Sequence, residues 1–274
     1  MNLTANLMTA YNCVVVIPVH KPEPSYYELI SFEQAYRMFH KFPIYVVAPE
    51  GINLQSYNEI IPSINVKYVP ARCQSSLLDY NKLKLSQHFY KLFNSYKYLM
   101  TYELDAFAFK NDLQLWCNKG YDYIGAPWFE GYTESATDAL MGVGNSGFSL
   151  RSIAAIRQGI KTAEYQDPTK PSDYHKNIWL KLKFWLARLL PIENVYLQDA
   201  DLLNEDWVIA EIIAKHTPGF KLAPIKDAMQ FSFEVKPEAL FELNNHQLPT
   251  GCHAWWRYNL PFWKPFIEKF GYKL

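Results

Sequence analysis

Two carboxylates, Glu103 and Asp105, stand inside TYELDAFAF, a run that with Tyr98, Leu99 and Met100 before it otherwise reads as a buried β-strand. In an extended chain residues i and i+2 share a face, so both carboxylates would project side by side while Leu104 points away. Two unpaired anions in an apolar setting are costly. Three arrangements answer that cost: a bound cation, a strand that ends here and opens into a solvated cleft, or basic side chains paired with the acids. A second acidic pair, Glu205 and Asp206 in LNEDWVIAEII, follows Asn204. That order suits an N-cap with acids in the first helical turn, and a carboxylate held at such a terminus can also serve as a general base. His253, in LPTGCHAWWRYNLPFW, follows a Gly-Cys turn and is suited to reach a site built by other segments.

The segment Gly142 to Gly147 matches GxGxxG. A dinucleotide-binding turn follows a strand and opens a helix near the start of a βαβ unit, whereas here YTESATDAL precedes and FSL follows. The glycines are better read as a loop leading into GFSLRS whose backbone comes close to a ligand.

The elements that must carry these groups alternate. CVVVIPVH is a β-branched apolar run stopped by KPEP, a buried strand delivering a loop at Pro18, Val19 and His20, which is a candidate ligand edge. A helix is expected from about Tyr26 to His40, strands at IYVVAPEG and VKYVP, and one helical stretch over LLDYNKLKLSQHFYKLFN, Leu77 to Asn94, leading into the acidic strand. YDYIGAPW follows, then a helical insertion from about Gln158 to Leu197 and a Pro- and Trp-rich tail from Phe231. Strands alternating with helices predict an α/β class with a largely parallel sheet, in which ligands sit at the carboxyl ends of the strands.

With 274 residues, 49% of them hydrophobic, the chain can bury a sizeable core. Lys plus Arg equals Asp plus Glu at 27 each, so no global field favours nucleic acid. The 20 Tyr, 17 Phe and 8 Trp suit sugar or base stacking as well as ordinary packing. Cys13, Cys73, Cys117 and Cys252 are far apart with no CxxC pair, which predicts reduced thiols rather than a zinc site or a disulfide framework. MNLTANLMTAYNC has no basic n-region followed by a long apolar stretch, and no segment reaches the roughly 18 apolar residues of a membrane span. A cytoplasmic protein is expected. IWLKLKFWLARLL, Ile178 to Leu190, is basic and aromatic, which fits either a helix docked on the fold or one that touches a membrane surface, as a peripheral contact at the inner membrane.

YNKLKLSQHFY, YELDAFAF, GYDYIGAPW, GNSGFSLRS, NEDW and GCHAWWRYNLPFW occur in the order found in a family of bacterial and fungal glycosyltransferase-like proteins, a domain of unknown function, which the chain resembles from Val14 to Trp263. It is similar to nucleotide-sugar-dependent transferases of the GT-A type. The resemblance implies a GT-A-like (Rossmann-like) mixed sheet flanked by helices, in one domain over 1–274. Its nucleotide-sugar half would span about 12–128 and its acceptor half about 129–274.

By the same resemblance Asp105 matches a metal-binding acidic motif, while Glu103 stands where Gln is expected in much of the family. Gly144, Asn145, Gly147 and Phe148 match the loop bordering donor and acceptor sugars, with Ser146 where Gly is usual. Asp206 and Glu205 match the acidic pair from which inverting enzymes draw a base, and His253 resembles a late histidine that reaches back to metal or diphosphate. Lys82 is a candidate diphosphate partner, or else a solvated surface lysine. Carboxylates, phosphate oxygens and one imidazole suit Mn²⁺ or Mg²⁺. The implied activity is metal-dependent transfer of a hexose from a nucleoside-diphosphate sugar to a hydroxyl of a glycan or lipid-linked acceptor, as in bacterial surface polysaccharide synthesis. A catalytically silent nucleotide- or sugar-binding module and an NAD-dependent oxidoreductase are the other readings.

Overall fold

The computed structural model of the chain describes residues 12–165, 177–189 and 203–274. CVVVIP forms β1 (Cys13–Pro18), every residue of which is buried. A strand with no polar face belongs in the middle of a sheet covered on both sides. It pairs in parallel with β2 (Ile44–Pro49), which pairs in parallel with β3 (Asn65–Val69); on its other side it pairs in parallel with β4 (Tyr98–Tyr102). The chain then adds β5 (Phe107–Ala108), β6 (Tyr123–Ile124), β7 (Ala126–Phe129), β8 (Leu140–Gly144), β9 (Phe148–Ser152), β10 (Ser232–Phe233) and β11 (Gly251–Cys252). The main sheet runs β3-β2-β1-β4-β9-β6, with β9 antiparallel to both neighbours. The architecture is therefore the expected mixed α/β class with a largely parallel central sheet.

The period of two along each strand separates two layers of core. Val15, Ile17, Val46 and Met100 pack with Phe32, Ala35 and Phe39 of the helix Tyr26–Phe39. That helix is started by a capping box between Ser25 and Glu28. On the other face Val14, Val16, Val47 and Leu99 pack with Ile156 and Ile160 of the helix Ile153–Thr162 and with Ile209, Ile212 and Ile213. The last three belong to a helix that begins as Glu205–Trp207, continues as a π-helix over Val208–Ile213 and returns to α-helix at Ala214–His216. A third cluster joins Phe107, Phe233, Cys252 and Trp255 to Trp263 and Ile267 of the helix Leu260–Glu268. It lies under the small sheet β10-β11-β5.

Register brings the chemistry together. Because β1 and β4 are parallel, with Val16 opposite Thr101, the loop after Pro18 and the turn after Tyr102 leave the same edge. Since β9 is antiparallel, with Phe148 opposite Tyr102, the Asn145–Gly147 loop arrives at that edge, and Glu103 N donates to Gly147 O at 2.7 Å. In the small sheet Cys252 is opposite Phe107 in antiparallel fashion and Phe233 in parallel fashion. The residues next along, His253 and Glu234, thus lie beside each other, across from the Asp105 turn.

Two expectations need revision. The acidic run is not one strand: β4 ends at Tyr102, Glu103 to Asp105 form a turn closed by Ala106 N donating to Glu103 O, and pairing resumes only at Phe107. The stretch Leu77 to Asn94 is not one helix either, but Leu77–Lys84 and Gln87–Lys91, because the Ser86 hydroxyl accepts from Phe89 N and caps a new start. Of the expected insertion, Ile153–Thr162 and Ile178–Leu189 are helical, and the remainder of Gln158 to Leu197, apart from 163–165 and 177, lies outside the described residues. So does nearly all of the N-terminal MNLTANLMTAYNC.

A buried ion-pair chain fastens the helix 205–216 to the sheet. Glu205, with a side chain 0% exposed, pairs with the equally buried Arg151 guanidinium of β9 and, at 3.1 Å, with Lys84 Nζ. Removing one partner from such a set leaves an uncompensated buried charge, which costs roughly 3–5 kcal/mol. Arg151→Met is expected to lose about that much in urea unfolding, and the double variant Arg151→Met with Glu205→Met to lose less than Arg151→Met alone. An Arg151→Met protein as stable as the parent would show that the pair holds nothing.

Candidate active site

The strand edge opens into a cleft of about 990 Å³ lined by Pro18, His20, Glu103, Asp105, Ser146, Asp206, Glu234 and His253 among others. Its floor is electrostatic. Glu103 Oε1 accepts from Tyr80 OH at 3.0 Å, Lys84 Nζ at 3.2 Å and Ser146 Oγ at 3.0 Å, so that oxygen is fully committed. Lys84 also donates to Ser146 Oγ. Desolvation acts to raise the Glu103 carboxyl, but the charges of Lys84 and His253 hold it well below the usual carboxylate range. The acidic pair in the apolar run is kept there by both the end of the strand and a buried lysine.

Glu103, Asp105 and His253 can each aim one ligand atom at a common point, those atoms lying within 4.8 Å of one another. His253 Nε2 is 3.0 Å from Asp105 Oδ1 and 3.5 Å from Glu103 Oε2, within ion-pair distance of both but aligned for a hydrogen bond with neither. Its other nitrogen, Nδ1, is 2.6 Å from Glu234 Oε1. A carboxylate on the far nitrogen of an imidazole fixes the ring and its tautomer, which is how metal-binding histidines are commonly held. Burial acts to lower the imidazole pKa, and the Asp105 and Glu234 carboxylates more than reverse it, raising it well above its ordinary value. The donor set of two carboxylates and one oriented imidazole, converging within 4.8 Å, fits a hard or borderline divalent cation such as Mn²⁺ or Mg²⁺.

Asp206 sits half-buried on the cleft wall, where Oδ2 accepts from Asn145 N at 3.0 Å and Oδ1 from Trp207 N at 2.9 Å. Partial desolvation, together with the nearby Glu205 and Glu234 charges, pushes its carboxyl up to about 6. Asn145 holds the loop: at φ +80°, a region Asn tolerates better than most residues, its buried side chain accepts from Gly147 N at 2.9 Å and donates to Ser232 Oγ at 3.3 Å. Two glycines clear space for neighbours. A Cβ at Gly147 would lie 2.2 Å from the His253 ring, and one at Gly144 1.7 Å from Trp128. Trp128 and Tyr132 meet edge to face, and Trp207 Nε1 donates to Tyr132 OH at 3.0 Å, which gives the cleft an aromatic wall.

Glu103, Asp105, Asp206, Pro18, His20 and His253 of the sequence reading therefore share one cleft. Glu205 reaches its wall, but with its carboxylate fully buried between two cations. Desolvation works to raise that carboxyl, and Arg151 with Lys84 lowers it, which makes Glu205 a fastener rather than a base. Val19, Gly144, Asn145, Gly147 and Phe148 are buried behind the lining, and Lys82 is exposed outside it, one turn face away from Lys84. The sequence reading missed Glu234, Lys84, Tyr80 and Arg151. Lys84 shares the helix of Lys82, and the sign that separates them is period: Lys84 stands four residues after Tyr80, on the inward stripe.

Residues 63–253 match the family described as Protein of unknown function (DUF5672), a stretch that holds Glu103, Asp105, Asp206, Glu234 and His253. The chain belongs to that family. No curated protein matches it. Among solved structures it is similar to core-mannan synthase A from Aspergillus fumigatus in an Mn/GDP form, at 12% identity and a TM-score of 0.40 over 72% of this chain and 71% of that one. It is also similar to a glycosyltransferase involved in glycosylation of the major capsid of PBCV-1, at 12% identity and TM-score 0.44 over 88% and 92% of the two chains. A third is the galactosyltransferase LgtC with donor and acceptor sugar analogs, at 12% identity and TM-score 0.44 over 88% and 86%.

Glu234 generates a sharp expectation for this DUF5672 member. Glu234→Gln keeps the side-chain volume but loses the anionic partner of His253 Nδ1, and Mn²⁺ affinity by calorimetry is expected to fall by about 10- to 100-fold with little change in the melting temperature. Undiminished Mn²⁺ affinity would remove Glu234 from the site.

Proposed function

We propose that the chain is a glycosyltransferase that moves a sugar from a nucleoside-diphosphate donor to a hydroxyl of a glycan or lipid-linked acceptor, with a divalent cation at Asp105, Glu103 and His253. The observation that carries this reading is the convergence of His253 Nε2, its ring held by Glu234, with the Asp105 and Glu103 carboxylates at the mouth of a polar and aromatic cleft. When bound, the cation supplies positive charge that stabilises the leaving diphosphate. The chain's own residues do the rest. Tyr80, Lys84 and Ser146 occupy one oxygen of Glu103 and leave Oε2 turned toward His253. Trp128, Tyr132 and Trp256 offer ring faces of the kind that bind sugars.

Asp206 is the base of this proposal. As the acceptor oxygen forms its bond to the anomeric carbon, the bond from that carbon to the diphosphate breaks, its electron pair leaves with the phosphate oxygen, and the hydroxyl proton passes to Asp206. The backbone N–H groups of Asn145 and Trp207 hold the carboxylate in place. This is inverting chemistry. The resemblance alone supports a hexose donor and a place in surface polysaccharide synthesis. The GxGxxG segment joins β8 to β9 and opens no helix, so a dinucleotide would find no helix N-terminus there, which counts against the oxidoreductase reading.

The test is incubation with a panel of nucleoside-diphosphate sugars and Mn²⁺, with release of nucleoside diphosphate as the readout; binding without turnover of any donor would instead support a silent module. Asp105→Asn is expected to abolish cation-dependent donor binding, whereas Glu103→Gln is milder. Donor affinity unchanged in Asp105→Asn would overturn the cation assignment.

Asp206 is competent only when ionised, so turnover should fall as pH drops through about 6, the position of its raised carboxyl. Asp206→Asn is expected to lower turnover by about 10²-fold or more, to erase that acid limb and to leave donor affinity nearly intact. A wild-type pH profile in Asp206→Asn would assign the base elsewhere.

A further inference from the structure

The helix Ile178–Leu189 carries large apolar side chains that are exposed among the described residues. It packs against the helix Ile153–Thr162, and Leu180 and Leu186 are half-buried. Ile178, Leu182 and Trp185 recur at i, i+4 and i+7 and form one exposed stripe, widened by Trp179 past the half-buried Leu186. Their exposures are 75%, 45%, 54% and 75%, uncommon for two tryptophans and two aliphatics in one patch. On the helical wheel Lys181 borders one side of this stripe and Lys183 the other, and both are exposed. The helix carries no Asp or Glu.

We propose that this face seats the protein on the surface of an anionic phospholipid bilayer, with the tryptophans and aliphatics entering the headgroup layer and the two lysines meeting lipid phosphates. Charge decides the occupant. An apolar stripe between lysines, on a helix without acids, complements a surface that is apolar beneath and negative above. Tryptophan is enriched at that boundary because its ring is apolar and its N–H is polar. A second copy is a poorer partner: a two-fold contact through this face would bring Lys181 and Lys183 of both copies together with no carboxylate on either helix to pair with them. The helix is too short to cross a bilayer, and no described helix is long and apolar enough to do so, so the contact is peripheral. The proposal does not depend on the reading of the cleft.

The experiment is co-sedimentation of the full chain with vesicles of phosphatidylcholine alone and of phosphatidylcholine mixed with phosphatidylglycerol, at low and high salt. The chain is expected to sediment with the mixed vesicles about tenfold more strongly than with the neutral ones, to lose that preference at high salt, and to show a blue-shifted tryptophan emission when bound. Trp179→Ala with Trp185→Ala, and separately Lys181→Glu with Lys183→Glu, should each weaken partitioning by about tenfold or more while the melting curve stays as in the parent. Either pair serves if the other proves unstable. No vesicle binding, equal binding of parent and variants, or concentration-dependent self-association abolished by the tryptophan pair in sedimentation velocity would each overturn the proposal.

Discussion

Lys84, Arg151 and Glu205 are withdrawn from water and Glu103 is partly so, and their four charges neutralise one another. That pairing fixes more than stability. Lys84 is the shared member, reaching Glu205 on one side and Glu103 on the other, and it thereby ties the helix that carries Asp206 to the turn that carries Asp105. Two carboxylates adjacent in sequence, Glu205 and Asp206, are given opposite lives by it. One is lowered and locked beneath the floor, and the other is raised in the cleft above it. The same logic divides a single residue, since one oxygen of Glu103 is saturated by three donors and the other faces His253.

Pairing between distant parts of the chain completes the arrangement. Glu234 and His253 are side by side because two strands of two residues each, β10 and β11, run in parallel, and they face the Asp105 turn because β5 pairs with β11 from the opposite direction. Each pairing is short, but each is backed by the large rings of the third core cluster, Phe107, Phe233, Trp255 and Trp263. Burying such side chains is worth roughly 1.5–3 kcal/mol apiece, so the four rings together outweigh a pair of ladder hydrogen bonds at about 0.5–1.5 kcal/mol each. The small sheet is a register device supported by aromatic packing.

This division explains what the sequence could disclose. Continuous apolar runs such as CVVVIP and IYVVAP are legible because burial on both faces leaves no other use for them, and with them came the α/β class and the edge where ligands gather. The acidic turn, NEDW and His253 were legible as candidates that share one cleft, because charged groups among aromatics demand partners. What stayed hidden depends on pairing that no local pattern encodes. The strands β5, β10 and β11 are too short to carry a period, so nothing near Glu234 announces its contact with His253. The break at Ser86 was masked because Leu83, Leu85 and Phe89 keep the apolar rhythm across it. Lys84 reads as one more helix lysine until the burial of its neighbours is known.

The space that Gly147 leaves empty is filled by the ring of His253. In effect two positions distant in the chain share one side chain's worth of volume, and the loop and the tail are parts of one lock: neither can be withdrawn while the other is seated. A chain that keeps an imidazole at 253 is bound to keep a bare backbone at 147, and any shift of the loop at Asn145 that loosens Asp206 must also be felt by the imidazole. The Asn145–Gly147 loop, which holds Asp206, and the tail that carries His253 are thus geared together by a missing methyl group.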